Sequence, residues 1–238
     1  MNKKSYTLYY TILTVVTVAA ILIGLYINVW TNIGHIFSKK QNVVEDTVEI
    51  NGSFENLVVD MDAVDLDISY GKNASVSYRI YESCVPEVSV ENNTLVIESK
   101  CEESLGRIGI NSIGKDFKVS IVIPEGTQIK NASILADAGN LQLKALEIEN
   151  AEVEADLGNI EIHDGVMSKL DITADCGNIE LYNSTVNSIV GHADLGNLEA
   201  HNSKIASGKC TADMGNVILE GEIGDVDVSC EVGNAQIK

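Results

Sequence analysis

A column of carboxylates is the feature of this 238-residue sequence whose residue type and spacing could do chemistry. Aspartate recurs every 19 residues in the last hundred positions, within copies of the motif Ala-Asp-x-Gly-Asn. The column comprises Asp137, Asp156, Asp175, Asp194 and Asp213. Stacked carboxylates repel one another unless a cation neutralises them, so a cation-binding stripe is one interpretation. The other is structural, because aspartate in a turn accepts hydrogen bonds from backbone N–H groups.

Other candidates for chemistry are sparse. His163 and His201 share one column of the repeat but stand two repeats apart, about 9–10 Å, which is too far to bind one metal ion. The sequence contains no glycine-rich phosphate loop, serine-nucleophile elbow or zinc-binding helix motif. The repeats are uniform in length, so no long loop is available to build a cleft. We therefore predict no enzymatic activity, no cofactor and no assigned metal site.

The five cysteines fall into two groups. Cys84 and Cys101 flank a predicted hairpin whose turn is Asn92-Asn93, which places the two thiols opposite each other on the apolar face. A disulfide is one interpretation if this part of the chain lies outside the cytoplasm, and a pair of buried thiols is the other. The remaining cysteines occupy columns otherwise filled by aliphatic residues, so we expect small core side chains rather than ligands or nucleophiles. They are Cys176, Cys210 and Cys230.

The spacing of the repeats predicts the architecture that must position these residues. A fixed period near 20 residues is typical of a solenoid, in which each turn of the chain, here called a rung, stacks on the next. Apolar and polar residues alternate after each turn, as in Leu141-Gln142-Leu143, which indicates strands with one buried face. We predict an all-β fold, a single-stranded β-solenoid of about six rungs of roughly 19 residues, over residues 131–238.

Glycine and asparagine follow the aspartate in every repeat. We predict that the glycine has a positive φ, which only glycine adopts at low cost. Rungs stack about 4.8 Å apart, so the asparagine side chains are expected to form a hydrogen-bonded ladder. These structural turn residues are Gly139, Asn140, Gly158, Asn159, Gly177, Asn178, Gly196, Asn197, Gly215, Asn216, Gly233 and Asn234.

Residues 48–130 precede the repeats and also indicate β-structure. Short alternating segments predict strands at 55–60, 64–70, 74–82, 85–90, 94–99 and 117–123. The last of these leads directly into the first repeat, so we expect the region to cap the solenoid and to cover an unpaired sheet edge. No comparable segment follows the last repeat, and end-to-end self-association is therefore a further expectation.

An uninterrupted apolar segment at residues 7–30 predicts a transmembrane helix. Aromatic residues at both ends, among them Tyr9 and Trp30, correspond to the two membrane interfaces. A cleaved signal peptide is the alternative interpretation, although its apolar part would be shorter. Basic residues before the segment indicate that residues 1–6 form a cytoplasmic tail, which leaves a stalk at 31–47 and an extracytoplasmic C-terminal domain.

The charge balance restricts the class of partner. The formal net charge is −19, from 35 acidic and 16 basic residues, and every acidic residue lies at or beyond Glu45. Such a surface does not suit nucleic acid, and anionic lipid would repel it. The expected partners are the membrane that the single span crosses and an unknown protein or other envelope component.

The repeats resemble the bacterial "putative adhesin" family of β-strand-repeat domains of unknown function, which includes LiaG-like membrane-anchored envelope proteins. The resemblance rests on the recurring Ala-Asp-x-Gly-Asn-Ile/Leu-Glu-Ile/Leu, on Asn93–Glu98 and on Val119–Gly126, and it covers residues 48–238. It implies a non-catalytic β-solenoid, anchored in the cell membrane with its N-terminus in the cytoplasm, that serves as an adhesin or envelope-binding scaffold. The alternative is a regulatory component of a cell-envelope stress-sensing system that acts on a membrane partner.

Overall fold

The computed structural model describes residues 42–99 and 117–238. The regular secondary structure in these ranges is β-strand, apart from one 3-10 turn at Glu82–Cys84, and all the strands belong to one continuous sheet. The all-β prediction is therefore confirmed. Within the described ranges no helix has the length and apolar character needed to cross a membrane. The predicted cytoplasmic tail, transmembrane helix and most of the stalk lie outside the described residues.

Each repeat has one long and one short strand segment joined at the Gly-Asn turn. In the last rungs, at Leu198–Met214 and Val217–Val232, the short segment continues into the next long segment as one strand. Long strands stack in parallel on long strands, and short on short, with a register of 19 residues, so that Val153 pairs with Ile172 and Ile160 with Ile179. In the last rungs a register shift after Ala200 changes the step to 18 residues, as in the pair Ser203 and Gly221. The predicted β-solenoid is confirmed. Its strands are β8 (Ile129–Ala138), β9 (Leu141–Lys144), β10 (Glu147–Leu157), β11 (Ile160–His163), β12 (Val166–Cys176), β13 (Ile179–Tyr182), β14 (Thr185–Leu195), β15 (Leu198–Met214), β16 (Val217–Val232) and β17 (Ala235–Ile237).

Columns of aliphatic side chains hold the rungs together. The short strands contribute two inward positions per rung, and the long strands contribute a column of alanines. These residues, all fully or almost fully buried, include Leu141, Ile160, Ile179, Leu198, Leu143, Ile162, Leu181, Ala136, Ala155, Ala174 and Ala193. Burying one Leu or Ile contributes roughly 1.5–3 kcal/mol, so a single rung with so few of them is stable only when its neighbours cover it.

The solenoid extends further than the repeats that the sequence shows. β2 (Asn56–Ala63) and β3 (Asp65–Gly71) form a rung that pairs in parallel with β8 and β9. In this register Asp62 falls in the aspartate column and Asp65 in the asparagine column. A further rung, β6 (Thr94–Ser99) and β7 (Lys118–Pro124), pairs in parallel with the other side of β2 and β3. The order of rungs in space therefore differs from their order in the chain.

Antiparallel strands close the N-terminal end of the stack. β4 (Ser75–Tyr81) pairs with β7, and β1 (Val43–Glu49) pairs with β4. β5 (Glu87–Glu91) pairs with β6 in the predicted hairpin, where φ is 50° at Asn92 and 66° at Asn93. β1 begins inside the segment predicted as a stalk, because Val44 and Val48 alternate with polar residues and pack against the core.

Candidate functional site

The asparagine column forms a continuous hydrogen-bonded ladder along the solenoid. The backbone N–H of each asparagine donates to the side-chain Oδ1 of the asparagine one rung earlier, with N···O distances of 2.8 to 3.2 Å. The ladder starts at Asp65, whose Oδ1 accepts from the backbone nitrogen of Asn140 at 2.8 Å and from its Nδ2 at 3.1 Å. The side-chain oxygens of this ladder therefore hold successive turns together.

The glycines of the turn are required by the close approach of successive rungs. A Cβ atom added at any of the six would lie 2.5–2.7 Å from the carbonyl carbon of the residue stacked on it in the preceding rung. The predicted positive φ occurs at Gly139, Gly158 and Gly233, with values of 138°, 152° and 150°. It does not occur at Gly177, Gly196 and Gly215. A positive φ therefore explains the need for glycine at three of the six positions, whereas the lack of space for a Cβ atom explains it at all six.

The aspartate column lies on the outer side of the long strands. Within the described residues its five predicted members accept no hydrogen bond from a backbone N–H, because the asparagine column makes the turn contacts instead. Burial raises the pKa of Asp137, and the neighbouring carboxylates Asp62, Asp156 and Asp60 raise it further. Burial likewise raises the pKa of Glu154, and the carboxylates of Asp156, Asp175 and Glu152 raise it further. At Asp137 the column therefore places several carboxylates close enough to repel one another.

His192 interrupts this acidic surface and brings three possible metal ligands together. Its Nε2 lies 2.6 Å from Oδ1 of Asp194 and 3.9 Å from Oδ1 of Asp213. One possible ligand atom from each of the three residues lies within 4.8 Å of the other two. In the described part of the chain this is the one group of three or more possible ligands that lie so close together. The sequence contains a signal for this group. His192 and Asp194 are two residues apart on one strand, and Asp213 stands one 19-residue repeat after Asp194.

The same histidine touches a hydroxyl, which creates a superficial likeness to a catalytic triad. Its Nδ1 lies 2.7 Å from Oγ1 of Thr211, whose hydroxyl also donates to the carbonyl oxygen of Gly191 at 3.3 Å. A triad also needs N–H donors that stabilise an oxyanion. The strands around Thr211 pair in a continuous parallel ladder on both sides, which occupies their N–H groups. The arrangement supports no acyl-transfer chemistry.

The short strands carry a second acidic column beside a stack of three aromatic rings. The ring of Tyr182 lies between those of His163 and His201, with centroid distances of 4.8 and 5.1 Å. Each ring contacts a glutamate two residues earlier in its own strand: His163 contacts Glu161 at 3.1 Å, and Tyr182 donates a short hydrogen bond to Glu180. That hydrogen bond, with burial and nearby glutamates, raises the pKa of Tyr182 to about 12.

This stack keeps the two histidines apart. His163 and His201 stand on either side of the Tyr182 ring, so they do not share a metal ion, as their spacing in the sequence indicates. His201 instead contacts Glu199 at 3.2 Å and Glu220 at 3.6 Å.

The cysteines behave differently from one another. Cys84 is buried and disulfide-bonded, while Cys101, its predicted partner, lies outside the described residues, so the pairing stays a prediction. Cys210 is buried, and burial raises its pKa to about 12. Cys176 is exposed and Cys230 half-buried, so the expectation that all three are core side chains is wrong for Cys176. Cys176 stands at the position before the turn glycine, where the strand has already passed the edge of the core.

That position is exposed in the later repeats and is mostly apolar. Alternation along the strand predicts an inward side chain there, yet Leu157, Leu195, Met214 and Val232 are 46–65% exposed. We call Leu157, Cys176, Leu195, Met214 and Val232 the apolar ridge. The sequence signal for it is the recurrence of large apolar residues directly before a Gly-Asn turn.

An open groove of about 520 Å³ lies on the face of the long strands, away from the ridge. Its floor includes a second, shorter ladder, in which Asn131 donates to Asn56 at 2.8 Å and Asn150 to Asn131 at 3.2 Å. Lys169 and Val190 are among the other residues that line it. The groove offers polar and apolar contacts to an extended ligand.

Comparison with known proteins agrees with the repeats. The model of the Toastrack DUF4097 family matches residues 54–238, which confirms the resemblance. No curated protein matches the sequence. Among solved structures, the chain is similar to a "putative adhesin" from Bacteroides fragilis, with 11% identity and a TM-score of 0.48, over 84% of this chain and 98% of that one. A "putative adhesin" from Parabacteroides distasonis has 12% identity and a TM-score of 0.41, with 84% and 98% covered. A "putative cell adhesion protein" from Clostridium sporogenes has 16% identity and a TM-score of 0.39, with 84% and 99% covered.

Proposed function

The chain belongs to the Toastrack DUF4097 family, and we propose that it is a non-catalytic binding or scaffold module that a membrane segment holds outside the cytoplasm. The observation that carries this proposal is the continuity of the strand faces. From β2 to β17 the rungs present aligned polar columns, and the described residues build open surfaces rather than an enclosed cleft. A rigid stack of this kind suits attachment to a protein or another envelope component along its length.

Two features support the membrane-anchored, extracytoplasmic location, and a third restricts the class of partner. Residues 7–30 have the length and apolar character of a single span, and basic residues precede them. Cys84 is disulfide-bonded, and stable disulfides are typical of oxidising compartments. The strongly acidic surface favours a partner other than nucleic acid or anionic lipid.

Protease treatment of intact cells tests this location. An extracytoplasmic domain loses its exposed turns to an added protease before lysis, while a cytoplasmic control protein survives. Thiol labelling of the same sample then reports whether Cys84 and Cys101 are bridged to each other. Protection of the repeats until the cells are lysed would contradict the proposal.

A regulatory role is the second candidate, because β1 begins at Val43 and leaves a short link to the apolar segment. A short link can transmit a change in the solenoid to a neighbouring membrane protein. Replacing residues 7–30 with an unrelated span distinguishes the two roles. A binding module keeps its function after the exchange, as judged by growth of a deletion strain under envelope stress, whereas a regulator loses it.

Self-association through the last rung is a further part of the proposal. β17 pairs with β16 on one side, and its residues are exposed. Antiparallel strands cover the opposite end of the stack, so two copies would meet through their last rungs. Light scattering after size exclusion tests this contact, and a monomer at high concentration would contradict it.

A further inference from the structure

The apolar ridge is an ordered surface rather than a scatter of exposed side chains. Its five residues are direct Cα partners in successive rungs, from Leu157 to Cys176, Leu195, Met214 and Val232. Leu157 is 57% exposed and Met214 55%. Contiguous exposed apolar surface of this kind marks an interaction site more often than single exposed residues do.

An acidic column precedes the whole ridge along the chain, and a shorter acidic column follows its first three residues. Each ridge residue directly follows a carboxylate, which is a member of the aspartate column such as Asp156 or, before Val232, Glu231. On the short strands, four residues after Leu157, Cys176 and Leu195, come Glu161, Glu180 and Glu199. The same position is Ile218 after Met214 and Gln236 after Val232. Within the described residues these carboxylates form no ion pair with lysine or arginine; their charged neighbours are histidines, as in His192–Asp194 and His201–Glu199.

We propose that the apolar ridge and its two acidic borders dock a cationic amphipathic α-helix of a partner protein. This rests on the proposed function as a binding module and names the chemistry of its partner. The apolar stripe of such a helix covers the ridge, and lysine or arginine residues on either side of the stripe meet the acidic columns. The docked helix runs along the solenoid axis.

The spacing of the ridge favours a helix over an extended strand. Ridge side chains are separated by the rung distance of about 4.8 Å, so five of them span about 19 Å. Successive turns of an α-helix rise about 5.4 Å, which differs from the rung distance by about 0.6 Å per turn, and about 13 residues cover the same length. Same-face side chains of a strand are about 6.8 Å apart, which misses the ridge by about 2 Å at each step.

Charge argues against the other occupants. An anionic membrane surface would bring lipid phosphates against two columns of carboxylates. Two copies packed ridge to ridge would bring the acidic borders of both chains together, and like charges at that distance repel. A cationic partner turns the same borders into attractive contacts.

A designed peptide tests the surface directly. The probe is an 18-residue, fluorescein-labelled helix of leucine and lysine with one leucine stripe, and the protein is the full-length chain in nanodiscs of zwitterionic lipid. Binding is measured by fluorescence anisotropy, with empty nanodiscs subtracted. Control peptides carry the same residues in scrambled order or glutamate in place of lysine.

Paired variants in one strand localise the contact. Leu195 and Val190 both lie on β14 and are 46% and 53% exposed, but Val190 lines the groove and not the ridge. We expect Leu195→Ser to weaken peptide binding at least about tenfold and Val190→Ser to leave it unchanged. Both positions are exposed, so both variants should fold, and circular dichroism checks this. Binding to the wild type should also weaken as salt is raised.

Several results would overturn the proposal. The scrambled or glutamate peptide could bind as tightly as the probe, or Val190→Ser could weaken binding as much as Leu195→Ser does. The folded wild type could fail to bind the probe, or it could capture anionic vesicles through the ridge. If the peptide fails while protease still cleaves the repeats on intact cells, the ridge assignment falls and the binding module outside the membrane stands.

Discussion

Replacing Gly177 with alanine separates two reasons for glycine in this fold. The added Cβ atom would overlap the carbonyl oxygen of Gly158 and lie 2.5 Å from its carbonyl carbon. Gly177 has no positive φ, so alanine meets no backbone strain there. Any loss of stability must therefore come from contact between the rungs.

The size of the expected destabilisation follows from the two rungs that must move apart to make room for the Cβ atom. Overpacking against a rigid neighbour costs about 1–3 kcal/mol, and each lost hydrogen bond adds about 0.5–1.5 kcal/mol. Parting the rungs at this point breaks or lengthens two such bonds, from the backbone nitrogen of Asn178 to Oδ1 of Asn159 at 2.9 Å and from that of Gly158 to the carbonyl of Cys176 at 3.0 Å. We expect Gly177→Ala to lower the free energy of unfolding by about 2–6 kcal/mol.

Two further glycines provide the controls. At Gly126 φ is 83° and an added Cβ meets nothing within 4 Å, so Gly126→Ala measures backbone strain alone, about 1–2 kcal/mol. Gly158→Ala combines the rung contact with a φ of 152°. Urea denaturation of the full-length variants, followed by far-UV circular dichroism, gives the three values. A Gly177→Ala variant as stable as the wild type, beside a destabilised Gly126→Ala, would refute the steric explanation.

Three other predictions concern titration and reactivity. Glu180→Gln should lower the pKa of Tyr182 from about 12 towards the usual value near 10, seen at 295 nm in an alkaline titration. Because burial and neighbouring carboxylates raise the pKa of Asp137, its ionised form opposes folding at pH 7, and this penalty fades as the pH falls towards the usual aspartate range near 4. Asp137→Asn should thus raise the free energy of unfolding by a few tenths of a kcal/mol at pH 7, since water screens the group, and the gain should shrink in acid; a gain that grows in acid would contradict this. Cys176 should react with Ellman's reagent in the native protein, whereas Cys210 should react only after unfolding.

The periodic part of the fold could be predicted from the sequence because each rung obeys the same local rules. Inward columns such as Ile160 and Ile179 alternate with polar residues, and the 19-residue step fixes their register. The sequence does not show the rung of β2 and β3 as a repeat, because Val64 and Asp65 stand where the later repeats have Gly-Asn. The position of β6 and β7 outside this rung depends on long-range pairing, which local patterns do not encode.

The candidate surfaces were only partly predictable. The carboxylate and asparagine columns are visible in the repeat, but which of them makes the turn contacts depends on the side-chain geometry of stacked rungs. Alternation places Leu157 and Leu195 inward, whereas the strand runs past the core before the turn and leaves them exposed. Strand periodicity predicts burial only where another strand lies opposite, and at this corner none does.

Labelling of Cys176 on intact cells tests the central claim most directly. In a Cys230→Ser background Cys176 is the exposed thiol among the described residues, because Cys210 is buried and Cys84 is disulfide-bonded. A charged maleimide that does not cross the cytoplasmic membrane should label this variant without lysis and should not label Cys176→Ser in the same background. Labelling of Cys176 only after lysis would place the solenoid in the cytoplasm and contradict an extracytoplasmic binding module.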